Sequence, residues 1–274
     1  MFTLNCKGRL LEINEPIVMG ILNITPDSFY SGSRTNSVDQ TLQQAEKMLN
    51  EGAAILDVGG QSTRPDSQLI SAEEELKRVL PVIQAIKTFF PQCFISVDTF
   101  YSSVAKETVT AGADIVNDIS GGNMDNEMLS AVAALNVPYV CMHMKGTPQT
   151  MKNEAVYKDV LKEVMEYFVE RTDACKQADI KDVIIDPGFG FAKTIEHNFT
   201  LLKNLQAFRI FAKPLLLGIS RKSTIWKTLN ITAEEALNGT TVMNTVGLIR
   251  GANILRVHDL KEAVEAIKLV QQMQ

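Results

Sequence analysis

Eight short runs of Ile, Val and Leu recur along this chain with longer amphipathic stretches between them, and no other feature constrains its fold as much. The runs are IVMGILN (17–23), AAILDV (53–58), CFISVD (93–98), DIVND (114–118), PYVCMH (138–143), DVIID (182–186), PLLLGIS (214–220) and NILRVH (253–258). They show little in–out alternation, the pattern of parallel strands buried on both faces under crossover helices. Between them, VDQTLQQAEKMLNEG (38–52), SAEEELKRVLPVIQAIKTF (71–89) and YKDVLKEVMEYFVERTDACKQ (157–177) place apolar residues at i, i+3, i+4 and i+7, the helical period. Ser71 with Glu74 three residues on has the form of a capping box. Eight such units predict an α/β chain, a (β/α)8 TIM barrel occupying residues 1–274 as a single domain. A doubly wound open sheet is the alternative; it would bring a GxGxxG phosphate turn, which the chain lacks.

Every predicted strand carries polar residues at or just past its C-terminal end. They are Asn23, Asp57, Asp98, Asn117 with Asp118, His143, Asp186, Ser220-Arg221-Lys222, and Arg256 with His258. In a barrel these ends converge on one face, where the active sites of such folds lie. Asp98, Asn117 and Asp186 offer acceptors and one amide donor, which suits a flat heterocycle bearing amino and ring N–H groups. Lys222, Arg256 and His258 end the seventh and eighth strands, where barrels often bind phosphate, and Arg64 in GGQSTRP brings a further cation to the same mouth. Blander roles compete: Asp98 as the cap of the next helix, Arg221 as a solvated cation, Arg256 as a partner of Asp259. Asp186 stands before Pro187-Gly188, and the small residues Gly188 and Gly190 are expected to let a planar ligand approach.

Three polar loops, 23–37, 59–71 and 144–155, follow the first, second and fifth strands and read as mobile covers of the mouth. The histidines His143, His197 and His258 lack zinc-site spacing. Asn23 beside a phosphate-bearing ligand could hold Mg2+, which takes oxygen ligands. His197 reads as a surface histidine at a helix start.

The net charge of −5 is well mixed, with no basic block, which argues against nucleic acid as a partner. Cys6, Cys93, Cys141 and Cys175 are far apart with no CxxC pair, so free thiols in a reducing compartment are expected. The N-terminus lacks an apolar signal core, and no run reaches the roughly 18 apolar residues of a membrane span. A cytoplasmic protein with no membrane partner is the expectation.

The motifs GILNITPDSFYSGS, DVGGQSTRP, SVDTF, VNDISGG, MHMKGTPQTM, IIDPGFGFAKTIEHN, LLGISRKS and ILRVHD, in this order and spacing, closely resemble those of the bacterial dihydropteroate synthase family, from about residue 17 to 260. The resemblance implies a (β/α)8 barrel, commonly a homodimer. It implies a transferase that joins 7,8-dihydropterin-6-ylmethyl diphosphate to 4-aminobenzoate in folate synthesis with Mg2+, releases diphosphate, and is a sulfonamide target. Carried over by motif, Asp98, Asn117, Asp186 and Lys222 would bind the pterin. Asn23, Thr63, Arg64, Arg256 and His258 would hold the diphosphate, with Asn23 as the metal ligand. Thr63, Pro65, Phe191, Lys222 and Ser223 would line the aminobenzoate pocket, and Phe29 would lie in a covering loop. Asp98, Asp186, Lys222 and Arg256 would carry the catalysis. Gln61 stands where the family usually has Glu, Lys145 where Gln is common, and FYSGSRT differs from the usual first loop. A noncatalytic pterin-binding paralogue and a corrinoid-dependent methyltransferase are the alternatives; both would be expected to lose diphosphate-binding residues that this chain retains.

Overall fold

A computed structural model describes residues 1–24, 34–62 and 68–273. Parallel strands run β3 (Ile17–Asn23), β4 (Ile55–Gly59), β5 (Phe94–Asp98), β6 (Ile115–Asp118), β7 (Tyr139–Met142), β8 (Val183–Asp186), β9 (Leu216–Leu217) and β10 (Ile254–Val257), each paired with the next in sequence from β3 to β8. β10 lies between β9 and β3, and a parallel bridge from Ile185 to Leu215 joins β8 to β9, closing the ring. The expected (β/α)8 barrel is present. Its seventh strand is much shorter than the apolar run 214–220: after Leu217 the chain turns away toward the site.

Helices α1 (Arg34–Asn50), α2 (Ala72–Phe89), α3 (Ser102–Ala111), α4 (Met128–Leu135), α5 (Val160–Gln177), α6 (Ile195–Lys203), α7 (Ser223–Leu229), α8 (Leu237–Ile249) and α9 (Leu260–Gln271) surround the strands. Their apolar stripes pack on the outward-facing strand residues, so that Val79, Ile83 and Ile86 of α2 share one core with Leu56, Val58 and Val97. The Ser71 cap forms in half: its Oγ accepts from the Glu74 N–H at 3.2 Å, but the Glu74 carboxylate turns to Arg78 at 3.0 Å. His197 is more than a surface residue. Its Nδ1 accepts from the Thr194 N–H at 3.2 Å, while Thr194 Oγ1 accepts from the His197 N–H, a reciprocal cap that starts α6.

One element was not anticipated. Residues before the first predicted strand form an antiparallel hairpin of β1 (Phe2–Cys6) and β2 (Arg9–Ile13). Leu4, Cys6, Leu11 and Ile13 alternate inward and pack on Met19, Ile55, Ile115, Val140, Ile184, Leu216 and Ile254, the lowest inward-facing residues of the barrel. The hairpin therefore plugs the N-terminal mouth and leaves the opposite mouth for function. Polar ties fix its seat: Arg9 reaches Asp114 at 2.8 Å, and the Asn5 N–H donates to Asp182 at 2.7 Å.

Candidate active site

Strand alternation sorts the polar strand ends into those that face the barrel interior and those that do not. In the register, Gly59 pairs with Asp98 and Asp98 with Asn117, which puts these side chains at one level. The bare Gly59 leaves room there, since a Cβ on it would stand 3.3 Å from Asp98 Cβ. Asp118, the next residue after Asn117, points the other way. It accepts from Tyr139 Oη, Ser120 N–H and Ser120 Oγ at 2.7 Å each and from Gly122 N–H at 2.8 Å, and so pins the loop after β6.

Below Asp98 and Asn117 lies Asp57, wholly buried. Its Oδ2 accepts from Arg256 Nε at 2.6 Å and from Asn117 Nδ2 at 3.0 Å. Arg256 Nη2 donates to Asp98 at 2.6 Å, so one guanidinium bridges two acids. Arg256 does not pair with Asp259. Arg221 does, through two bonds of 2.7 and 2.8 Å, and it also donates to the carbonyls of Ala233 and Glu234. Arg221 is thus a strut between the loop after β9 and the start of α9, neither a site residue nor a solvated cation.

Asp186 serves two purposes. Its Oδ1 accepts from the Gly188 N–H at 2.8 Å, as a turn-forming Asp would, while Oδ2 looks across the bare Gly218 toward Lys222. The reason for Gly188 is a backbone contact: a Cβ there would lie 1.9 Å from the His143 carbonyl oxygen, with φ at +72°. Gly190 likewise makes way for Lys222, whose methylene would stand 3.0 Å from an added Cβ. These glycines bring the Phe189–Phe191 turn against β7 and Lys222, a different use from the ligand approach expected. Lys222 donates to the Phe189 carbonyl, and its ammonium sits 4.6 Å from the Phe191 ring centre.

His143 is withdrawn from the mouth. It is buried, and its Nδ1 is bonded at 2.9 Å to Lys193, which also donates to the carbonyls of Gly188 and Phe191 at 3.0 Å. Burial and the neighbouring ammonium push His143 down to about 2, so it is a neutral structural residue. At the end of β10, His258 Nδ1 lies 3.0 Å from Ser220 Oγ, which also accepts from the His258 N–H. Ser220 Oγ thereby holds both the backbone and the ring of His258 at the strand end. Asn23 is exposed at the end of β3, and Ser223 opens α7 directly after Lys222.

The charges are tuned by enclosure. Burial pushes the Asp98 carboxyl up to about 7 against the pull of Arg256. Burial raises Asp186 as well, with Lys222 opposing. Burial lowers Lys222 to about 8, with Asp186 acting to raise it.

The structure therefore brings together Asp98, Asn117, Asp186, Lys222 and Arg256, with Phe191, Ser223, His258 and Asn23 around the rim. Phe29, Thr63, Arg64 and Pro65 lie outside the described residues. The loop 144–155 is not a loose cover: Met144 and Met151 are buried with Phe100, Ile119 and Ala192, and Lys145 is bonded to Glu163 at 2.8 Å. Asp57 is a strand-end residue to which the sequence assigns no specific role, and Lys193 is one that a reading by strand ends passes over. A signal for Asp57 existed, because it sits two residues before Gly59 and shares its inward face.

A family model for pterin binding enzymes matches residues 19–258. The dihydropteroate synthase of Escherichia coli strain K12 is 45% identical over 267 residues, 97% of this chain and 94% of that protein. The chain belongs to the dihydropteroate synthases. Among solved relatives of this family, the Yersinia pestis dihydropteroate synthase in a sulfonamide drug complex superposes with a TM-score of 0.93 at 39% identity, covering 99% of each chain. The Xanthomonas albilineans dihydropteroate synthase with 4-aminobenzoic acid also gives 0.93, at 38% identity, over 99% of this chain and 98% of that one. Similarity to synthases along the whole barrel decides against the methyltransferase and the noncatalytic paralogue.

Proposed function

We propose the following division of labour for the reaction that this chain catalyses as a dihydropteroate synthase, the joining of 7,8-dihydropterin-6-ylmethyl diphosphate to 4-aminobenzoate. Asp98, Asn117 and Asp186 receive the N–H donors of the pterin, and Lys222 donates to its carbonyl edge. Asp186 keeps acceptor capacity beyond its bond to Gly188, enough to meet two adjacent donors of the ring. Arg256 holds both Asp57 and Asp98 while its remaining terminal nitrogen can meet a phosphate oxygen. His258 is a second contact for the diphosphate, and Thr63 and Arg64 complete that subsite. Phe191, Ser223, Lys222, Thr63 and Pro65 form the aminobenzoate pocket, with Phe29 in its cover.

The nucleophile is an aromatic amine, unprotonated at neutral pH, so the site needs no strong base. The demanding event is departure of diphosphate from the pterin methylene. Arg256, Lys222 and His258 take up the negative charge that develops on the leaving oxygens. The anionic Asp98 and Asp186 favour positive charge on the pterin ring, which supports carbon–oxygen cleavage ahead of attack by the amine.

Asn23 is an accessible amide at this mouth, and no cluster of three His, Cys, Asp or Glu residues is found among the described residues. One protein oxygen fits Mg2+, which keeps several waters and shares phosphate oxygens. Held there, Mg2+ would supply charge neutralisation to the diphosphate.

A homodimer is supported by an apolar stripe on the outer surface. Val242, Val246 and Ile249 recur at helical spacing on α8 beside Leu229 at the end of α7; Val242 and Ile249 are each 54% exposed and Leu229 51%. Four free, buried cysteines support a reducing, cytoplasmic setting, and no helix among the described residues is long and apolar enough to cross a membrane.

The observation that carries this reading is the bridge from Asp57 through Arg256 to Asp98 beside Asn117, Asp186 and Lys222: acceptors for a heterocycle against cations for its leaving group. The test is incubation of the purified protein with the pterin diphosphate and Mg2+, with and without 4-aminobenzoate. Dihydropteroate and diphosphate formed together, and only with the amine, are expected. Pterin binding without product would overturn the assignment of the cations.

A further inference from the structure

Asp57 touches nothing at the rim. It lies one layer beneath the level shared by Gly59, Asp98 and Asn117, wholly buried, and its Oδ1 has no hydrogen-bond partner. What it does is done through Oδ2, which receives Arg256 Nε at 2.6 Å and Asn117 Nδ2 at 3.0 Å. The second contact settles the orientation of the Asn117 amide. A carboxylate oxygen already bound to a guanidinium can only accept, so the NH2 half of the amide must face it; a flipped amide would set two acceptors against each other. The carbonyl half, Asn117 Oδ1, is therefore the half turned away from the floor.

The sequence suggests an amide that supplies a donor to the ligand. With the amide clamped, Asp98, Asn117 and Asp186 are all acceptors. Taking the pterin assignment above as the premise, such a set reads ring N–H groups. A 7,8-dihydropterin carries N–H at positions 3 and 8 as well as its 2-amino group. A fully oxidised pterin has no hydrogen on N8, and its lone pair there would oppose an acceptor. An acceptor facing an acceptor inside a dry pocket costs more than a missing bond, because neither group can turn to water.

We propose that Asp57 is a specificity-determining positioning residue: by holding Asn117 Nδ2 it fixes Asn117 as an acceptor, so that the site prefers a 7,8-dihydropterin to the oxidised ring. Arg256 contributes through the same oxygen, which accepts its Nε–H at 2.6 Å. Loss of the clamp frees the amide to turn and offer its NH2 to a bare ring nitrogen.

The test is titration calorimetry with 6-hydroxymethyl-7,8-dihydropterin and 6-hydroxymethylpterin, on the wild-type protein and on Asp57→Asn, under anaerobic conditions. The wild type is expected to prefer the dihydro compound by about tenfold or more. In Asp57→Asn the ratio is expected to fall toward one, chiefly by relative gain of the oxidised compound. A wild-type ratio near one overturns the proposal without recourse to any variant. Equal weakening of both ligands in Asp57→Asn, with the ratio kept, also overturns it and leaves Asp57 a support of the fold alone. If neither compound binds the wild type, the premise of a pterin site fails instead.

Discussion

Arg256 and Asp98, 158 residues apart in sequence, meet at 2.6 Å across the mouth of the barrel. Asp98 nevertheless titrates high, up to about 7, because burial outweighs that one cation and Asp57 adds negative charge nearby. Lys222, also enclosed, is brought down to about 8. The working form needs an ionised Asp98 to accept from the pterin and a charged Lys222 to donate. The pH profile of kcat/KM is therefore expected to be bell-shaped, rising through about 7 and falling through about 8. Initial rates from pH 5.5 to 9.5 check this, and Asp98→Asn is expected to remove the rising limb at a much reduced rate. The same shift affects folding. Asp98 titrates higher in the folded chain than unfolded, so its contribution is full below about pH 4 and is lost as pH rises through about 7. Urea melts across that range should show a slope that Asp98→Asn flattens.

The two arginines that end neighbouring segments should part company under mutation. Arg256→Ala removes the bridge between Asp57 and Asp98 and a cation for the leaving group. A fall in kcat/KM of about 10²–10³ is expected. Arg221→Ala removes the pair with Asp259 and two carbonyl contacts, all away from the mouth. A loss of about 1–3 kcal/mol in stability with nearly unchanged KM values is expected. Steady-state kinetics beside chemical denaturation separates the two cases; equal kinetic damage would return Arg221 to the site.

Lys193, half-buried, donates among the His143 ring nitrogen and the carbonyls of Gly188 and Phe191. Its methionine variant keeps the stem and strips the donors, leaving the Phe191 carbonyl and His143 Nδ1 without this partner, while the Gly188 carbonyl keeps the Phe191 N–H at 3.1 Å. Destabilisation of about 2–4 kcal/mol is expected. The KM for 4-aminobenzoate should rise more than that for the pterin diphosphate, because Phe191 sits on the displaced turn. Substrate-by-substrate kinetics at a temperature where the variant is folded checks this.

Gln61 ties the base of the second loop. Its Nε2 donates to the carbonyls of Ser62 at 2.8 Å and Gln68 at 3.2 Å, and its Oε1 accepts from the Ile70 N–H at 2.9 Å. Glu at this position could repeat only the last of these. Gln61→Glu is expected to cost about 1–2 kcal/mol and to loosen the segment it spans. Hydrogen exchange of the Ile70 amide would report it, with unchanged protection as the contrary result.

Leu4 of the hairpin is buried on the barrel floor, far from the functional mouth. Leu4→Ala is expected to lose about 2–4 kcal/mol of stability, while kcat per folded molecule stays the same. A thermal melt paired with an active-site-normalised rate tests whether the plug is purely structural.

What the sequence determined by itself was whatever repeats along the chain or sits at a strand end. Period and strand composition announced eight βα units, because burial on both faces selects Ile and Val without alternation. Asp98, Asn117, Asp186, Lys222 and Arg256 were legible because barrel topology sends every strand end to one face. The tertiary structure decided the pairings, since these depend on closure of the ring. It gave Arg256 to Asp57 and Asp98 and Arg221 to Asp259, turned Asp118 outward, drew His143 into the wall under Lys193, and folded the first residues into a floor. Those N-terminal segments alternate like any half-exposed hairpin, and nothing local says that their partner is the far end of a barrel. The role of Asp57 is likewise beyond sequence: only a closed barrel places its one oxygen beneath both a guanidinium and an amide and so decides which way that amide faces.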